Sequence, residues 1–199
     1  MLHHLWIIGT SNAAETGGTV LLSRHFSQPD STEESRDSEL RRIVALTRDT
    51  WPALFAEQQA ALAAPASASS SSSTSTSAPG TDDTLPGGPG FLAVTYHDDD
   101  GATRERTAGV LVGSDVVVVA TGDGVYDALA LEQVLRAFVA VLRAVCCRDK
   151  EGLTEAAVLK EYRAVMLVVE DVFTRGVVHM TDPDVVAAAL NMSLEKVKH

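Results

Sequence analysis

The residue types best suited to chemistry come together in one segment, VVEDVFTRGVVHMTDP, at positions 168–183. Two adjacent carboxylates, Glu170 and Asp171, are followed there by Arg175 and His179, and these types could serve acid–base catalysis. Neighbours on a helix, however, point about 100° apart, so the two carboxylates cannot converge on one substrate atom. We therefore interpret the segment as a packed helix whose carboxylates face solvent. Arg175 is expected in its last turn, where the helix dipole favours a cation.

Two glycine-containing turns are the places where backbone amides could meet a phosphate. ATGDGVYD, at 120–127, lies between a predicted strand and a predicted helix, and GTSNAAETGGT spans 9–19. Neither has the phosphate-loop spacing or a lysine, and Asp123 and Asp127 would repel an anion. We interpret the first as a tight connection with Asp123 or Asp127 near a helix N-cap, and the second as a hairpin loop.

The histidines and cysteines show no spacing typical of a metal centre or a nucleophile. His3 and His4 alternate faces of a predicted strand, and the other histidines considered, at 25, 97 and 179, have no neighbouring ligand. A Gly-x-Ser-x-Gly elbow and a Cys and His signature are both absent, while a Ser-His-Asp triad leaves no local pattern. The sequence predicts no catalytic residue, no metal and no cofactor, and hence no enzyme. A stand-alone enzyme using Glu170 or Asp171 is an alternative.

Composition and charge limit the class of protein. The 199 residues are 45% hydrophobic, enough for one globular domain, and carry a formal net charge of −11. This charge disfavours nucleic acid and unaided binding to an anionic membrane surface. The apolar runs are shorter than the roughly 20 residues that span a bilayer, and no basic region precedes the first of them. We expect a cytosolic protein in which Cys146 and Cys147 are reduced.

One segment differs in composition from the rest of the chain. Residues 64–90 are almost entirely Ser, Ala, Thr, Gly and Pro, without periodic apolar residues to offset the entropy of ordering them. The sequence predicts a single domain over 1–199, interrupted by a disordered insertion at 64–90. Two separate small domains are the alternative.

Apolar periodicity predicts the order of the elements. HLWIIGT (4–10) and TVLLSRHF (19–26) indicate a β-hairpin, and residues 30–62 indicate a helix that Pro52 divides near Thr50. Three valine-rich strands follow, FLAVTYH (91–97), TAGVLVG (107–113) and DVVVVATG (115–122), with a tight turn at 113–115.

Helical spacing begins at Tyr126 and again after Thr154, which is a plausible N-cap. Gly176 is predicted to cap the last long helix, and a further short helix is predicted to begin at Asp182-Pro183. The fold class is therefore α+β, with a five-stranded, mainly antiparallel sheet and helices on both faces.

Two stretches carry a resemblance to a known family. LLSRHF contributes Leu22, Arg24 and Phe26 in the second strand, and LVVEDVFTRGVVHMTDP (167–183) contributes the end of the last long helix. With the element order, they resemble the longin domain of vesicle-coat complexes. These domains form the small (sigma or zeta) chains, and the N-terminal part of the medium (mu or delta) chains, of clathrin adaptors and coatomer. The resemblance implies the longin fold, which is SNARE-like or profilin-like.

Several features depart from that family. Glu170-Asp171 reverses the usual Asp-Glu order, Met180 stands where an acid is common, and an insertion like that at 64–90 is unusual for the small chains. Such an insertion is more similar to the medium chains of the TSET (plant TPLATE) complex and of the fifth adaptor complex. No mu-homology domain follows within the 199 residues, which favours a small chain or the longin part of a medium chain.

The resemblance implies a non-enzymatic binding role in vesicle-mediated transport or endocytosis. Such a domain pairs with a large adaptin- or coatomer-type solenoid subunit and with other coat subunits, and meets membrane only through the complex. It would be cytoplasmic, on coated vesicles of the Golgi, endosome or plasma membrane. The predicted partner contacts are Trp51, Phe55 and the outer face of the second strand with Leu22, Arg24 and Phe26. The alternative is a longin- or roadblock-type subunit of a complex that regulates small GTPases.

Overall fold

Five long strands form the centre of the computed structural model, which describes residues 1–10, 18–26, 33–63, 85–86, 89–97, 105–147 and 153–179. They are β1 (Leu2–Gly9), β2 (Thr19–His25), β4 (Phe91–His97), β5 (Glu105–Val112) and β6 (Val116–Gly122). A two-residue strand, β3 (Leu85–Pro86), pairs with β4 at one edge. The order across the sheet is β2-β1-β6-β5-β4-β3, and every pair is antiparallel.

Helices cover both faces of this sheet. They are α1 (Glu33–Thr47), α2 (Trp51–Ala63), α3 (Ala128–Cys146), α4 (Glu155–Lys160) and α5 (Tyr162–Val172). A 3-10 turn, Arg48–Thr50, separates α1 from α2, as predicted from Pro52. Pro52 then lies in the first turn of α2, where its missing N–H removes no helical hydrogen bond. The predicted α+β class, with five strands and helices on both faces, is confirmed.

Two local predictions of helix starts are also confirmed. The Asp127 carboxylate accepts a hydrogen bond from the Ala130 N–H at 2.9 Å, at the start of α3. The Thr154 hydroxyl accepts one from the Ala157 N–H at 3.2 Å, at the start of α4. Short polar side chains at these positions satisfy amides that have no partner within the helix.

The predicted end of the last long helix is wrong. Helix α5 ends at Val172, and a small hairpin follows, made of β7 (Phe173–Thr174) and β8 (Val177–Val178). Its turn residues, Arg175 and Gly176, both have positive φ, 51° and 74°, as a two-residue hairpin turn requires. Gly176 is therefore a turn residue and not a helix cap, and Arg175 does not lie in a helical turn. The extended backbone at Phe173 brings its ring to 5.2 Å from that of Phe138, in the core.

Alternation along the strands divides the interior into two cores. Leu5 and Ile7 of β1 point to the face covered by α3, α4 and α5, and Trp6 and Ile8 point to the face covered by α1 and α2. We call the second of these the α1-face core. Its buried members are Trp6, Ile8, Leu40, Ile43, Trp51, Leu54, Tyr96, Ala108, Val110, Val112, Val117 and Val119.

Some predictions concern residues that the structure does not describe. Most of the predicted insertion, residues 64–84 and 87–88, lies outside the described residues, as does the helix predicted from Asp182-Pro183. Near the end of the predicted insertion, Leu85 and Pro86 pair with Ala93 and Leu92 of β4. Regular structure therefore begins a few residues before the predicted strand at Phe91.

Candidate interaction surface

Strand β2 forms one edge of the sheet. It pairs with β1 from His4↔His25 to Gly9↔Thr19, and within the described residues no strand pairs with its other side. An edge strand presents backbone N–H and C=O groups to whatever lies beside it. The register shifts between Ile7 and Ile8, an irregularity on the side of β2 that pairs with β1. This edge is therefore a place where another chain can dock.

A groove lies beside this edge, between β2 and α1. It encloses about 530 Å³, and we call it the β2 groove; its lining residues are Ile8, Gly18, Val20, Asp37, Leu40, Arg41, Val44, Ala45, Arg48 and Asp49. The Val20 side chain is 46% exposed, although it is a β-branched strand residue. The lining combines apolar side chains with two arginines, a residue type enriched at protein interfaces, and two aspartates, a type depleted there.

A smaller cavity lies at the C-terminal end of β2. It encloses about 310 Å³, and we call it the β2 pocket; its lining residues are Arg24, His25, Phe26, Glu170, Phe173, Thr174 and Arg175. The Arg24 Nη2 atom lies 3.4 Å from Glu170 Oε1, and both side chains are about half exposed. Such a pair adds little stability in water, so both groups remain accessible to a partner.

The Arg175 backbone conformation allows a direct test of the hairpin turn. Replacing Arg175 by asparagine should raise the free energy of unfolding by about 1 kcal/mol, because asparagine tolerates positive φ better than arginine does. Chemical denaturation of the two proteins measures the difference. Arg163→Asn on α5 removes the same charge from a helical position and should give no gain. An Arg175→Asn variant less stable than the parent would contradict the assigned turn.

The structure divides the five predicted contact residues between surface and core. Leu22 and Trp51 are each 3% exposed, so they are core residues instead of surface contacts. The Trp51 indole also donates a hydrogen bond to the Thr47 hydroxyl at 3.2 Å. Phe55 is partly buried against the α1-face core. Arg24 and Phe26 line the β2 pocket, where the Phe26 ring lies 5.5 Å from that of Phe173.

The two adjacent carboxylates at the end of α5 face solvent. Glu170 and Asp171 are both exposed on α5, as predicted, and Glu170 points toward Arg24.

Cys146 lies at the end of α3. Burial, followed by the neighbouring Cys147 and Glu161, raises the pKa of its thiol to about 12. Cys146 is therefore protonated at neutral pH and poorly suited to act as a nucleophile.

A buried polar cluster lies on the α1 side of the sheet, and sequence reasoning missed it. We call it the Glu39 cluster: Glu39 of α1, His4 of β1, Tyr96 of β4 and Arg106 of β5. His4 Nδ1 lies 3.1 Å from Glu39 Oε2, Arg106 Nη1 donates to Glu39 Oε1 at 3.3 Å, and the Tyr96 hydroxyl donates to the same oxygen. A signal was present, since Glu39 precedes the buried Ile43 by one helical turn and so shares its face.

The ionisation of the Glu39 cluster follows from these contacts. Burial by itself raises the pKa of Glu39, but the hydrogen bond and charge of His4, the Tyr96 hydroxyl and the Arg106 guanidinium outweigh it, and the pKa falls to about 2. Burial and the adjacent carboxylate together hold the pKa of Tyr96 far above its usual range. At neutral pH Glu39 is therefore ionised and Tyr96 is a neutral donor.

Comparison with known proteins leaves the family open. No model of a known protein family matches the chain, and no curated protein matches it. Across the described ranges, none of the helices combines the length and apolar character needed to cross a membrane. The case for a function therefore depends on the residues themselves.

Proposed function

We propose that this chain is a non-enzymatic, longin-type subunit of a vesicle-coat adaptor complex, and that it pairs with a large α-solenoid subunit. The observation that carries the proposal is the open β2 edge, flanked by the β2 groove and the β2 pocket. An antiparallel sheet with helices on both faces is consistent with a longin-like fold. The two stretches that resemble coat subunits both contribute to this edge, through Arg24, Phe26 and Glu170.

The lining of the β2 groove fits a protein partner with an amphipathic surface. Val20, Leu40 and Val44 give apolar contact area on the two sides of the groove. The charged groups around them allow complementary ion pairs that orient a partner without a large energy of their own. Solenoid proteins present extended concave surfaces for binding partners. In this role the protein is cytoplasmic and reaches Golgi, endosomal or plasma membranes only through the complex.

Changing one residue of the groove tests the proposed surface. Val20→Glu places a charge among apolar contacts and should weaken binding to the large subunit at least about tenfold. Val20 is already 46% exposed, so the unfolding temperature should change little. Calorimetry or surface plasmon resonance with the purified large subunit measures the affinity.

Val125→Glu is the matched control for this substitution. Val125 is 81% exposed and follows Gly122, which pairs with Leu2, whereas Val20 pairs with Ile8 at the opposite end of β1. The control should bind the large subunit like the parent protein. Equal loss of binding in both variants, or none in either, would contradict the proposed surface.

The partner itself is identified by affinity purification of the tagged full chain from native cytosol. Recovery of large solenoid chains, reduced by Val20→Glu but not by Val125→Glu, supports a coat subunit. Recovery of a small GTPase in their place would favour the regulatory alternative. A clean monomer would contradict both.

A further inference from the structure

Among the described residues, the groups that contact the Glu39 carboxylate all belong to the sheet. His4 comes from β1, Tyr96 from β4 and Arg106 from β5, and Glu39 comes from α1. The Glu39 side chain is 12% exposed, so this contact is largely removed from water. Leu40 and Ile43 of the same helix lie in the α1-face core.

The three donors come from paired strands of the sheet. Tyr96 and Arg106 are directly paired across β4 and β5, and His4 is paired with Thr121 across β1 and β6. The backbone hydrogen bonds of the sheet therefore fix the positions of the Cα atoms of these three residues. His4 is held further by its neighbours, since its ring stacks on Trp6 at 4.8 Å and lies 4.4 Å from His25. The Thr121 hydroxyl lies 3.3 Å from His4 Nδ1.

The arrangement of donors matches the two oxygens of a carboxylate. Oε1 faces Tyr96 and Arg106, and Oε2 faces His4. Planar recognition of this kind favours formate or acetate over a spherical anion such as chloride.

We propose that His4, Tyr96 and Arg106 form a carboxylate-binding site built into the sheet, which Glu39 occupies as a tethered ligand. Occupation of this site fastens α1 over the α1-face core. Because Leu40, Arg41 and Val44 of the same helix line the β2 groove, the contact also sets one wall of that groove. The carboxylate site does not depend on the proposed coat function, but its effect on partner binding does.

Chemical rescue tests whether the site exists apart from Glu39. The full chain carrying Glu39→Ala is heated in about 0.3 M sodium acetate or formate and, separately, in sodium chloride of the same ionic strength. The variant should unfold at a lower temperature than the parent in chloride. Acetate or formate should raise its unfolding temperature by roughly 3–5 °C over chloride, by mass action on the vacated site. The parent protein and Asp37→Ala, an exposed position on α1, should show no such difference.

A double variant and hydrogen exchange show whether acetate acts at the site itself. Adding Arg106→Gln to Glu39→Ala should abolish the rescue, and hydrogen exchange across α1 should slow in acetate only for the single variant. If Glu39→Ala is unfolded in chloride, recovery of its circular dichroism in acetate supports the site. No rescue, or equal stabilisation of all proteins by acetate, would overturn it. The isolated chain is used throughout, so this result is independent of the Val20→Glu binding assay.

Discussion

Replacing Trp51 by alanine is expected to lower the free energy of unfolding by about 3–5 kcal/mol. The indole is 3% exposed within the α1-face core, and its N–H is paired with the Thr47 hydroxyl at 3.2 Å. Thr47 is itself fully buried and donates to the Ile43 carbonyl at 2.8 Å. Removing the ring leaves a cavity where the 3-10 turn joins α2, so α1 and α2 both lose part of their support.

Denaturation in urea, followed by circular dichroism, measures this loss. Phe55→Ala is the comparison, because Phe55 lies on the same helix but is only partly buried, and it should cost about 1 kcal/mol or less. The contrast separates a core residue from a surface contact. The opposite result would be a folded Trp51→Ala protein whose free energy of unfolding falls by less than about 1 kcal/mol but which no longer binds a large subunit. That result would support the predicted role of Trp51 as a contact residue.

The second large effect is expected from Glu39→Gln. Each pKa unit corresponds to about 1.4 kcal/mol, so a pKa lowered from 4.5 to about 2 makes ionised Glu39 worth about 3 kcal/mol of stability at neutral pH. Glutamine keeps the shape of the glutamate side chain but carries no charge. The positive charge of the Arg106 guanidinium is then no longer neutralised by residue 39. The variant should therefore be less stable than the parent by about that amount at pH 7.

The pH dependence has a definite sign. The folded-state pKa of Glu39 is lowered, so its contribution is fully present above pH 4.5 and is lost as the pH falls toward about 2. The groups that face it, His4 from β1, Tyr96 from β4 and Arg106 from β5, are unchanged in the variant. The stability curves of the parent and Glu39→Gln should therefore converge between pH 4.5 and pH 2.

Chemical denaturation at several pH values provides these curves. Asp37→Asn, on the same helix but exposed, controls for loss of one negative charge and should run nearly parallel to the parent. A gap between the parent and Glu39→Gln that is as large at pH 2 as at pH 7 would contradict an ionic role for Glu39. It would indicate that the substitution acts through packing alone.

Local signals in the sequence identified most of the secondary structure. Runs of valine and other β-branched residues marked the strands, Pro52 marked the division between α1 and α2, and Asp127 and Thr154 marked helix starts. Each of these effects operates within a few residues, which is why a linear pattern reveals it. Gly176 is an exception, because the sequence predicted a helix cap there and the structure has a hairpin turn. Glycine suits a helix cap and a hairpin turn equally, and the contact of Phe173 with Phe138 favours the hairpin.

Residue type alone did not separate core from interface. Trp51 was predicted to contact a partner from the first helix and Leu22 from the outer face of the second strand, but large apolar side chains also suit the interior, where both lie. Whether such a side chain is covered depends on which elements pack over it, here α1 and α2 on one face and α3 to α5 on the other.

The sequence by itself determined the α+β class, the order of the five long strands and of the main helices, the solvent-facing carboxylates at 170 and 171, and the absence of a known phosphate or metal motif. Only the tertiary structure brought His4, Tyr96 and Arg106, which are up to about a hundred positions apart, around Glu39. Only it left β2 at the edge, with a groove beside it. The physical reason is that strand register and helix docking are set by long-range packing, whereas caps, turns and periodicity are set by neighbours in the chain.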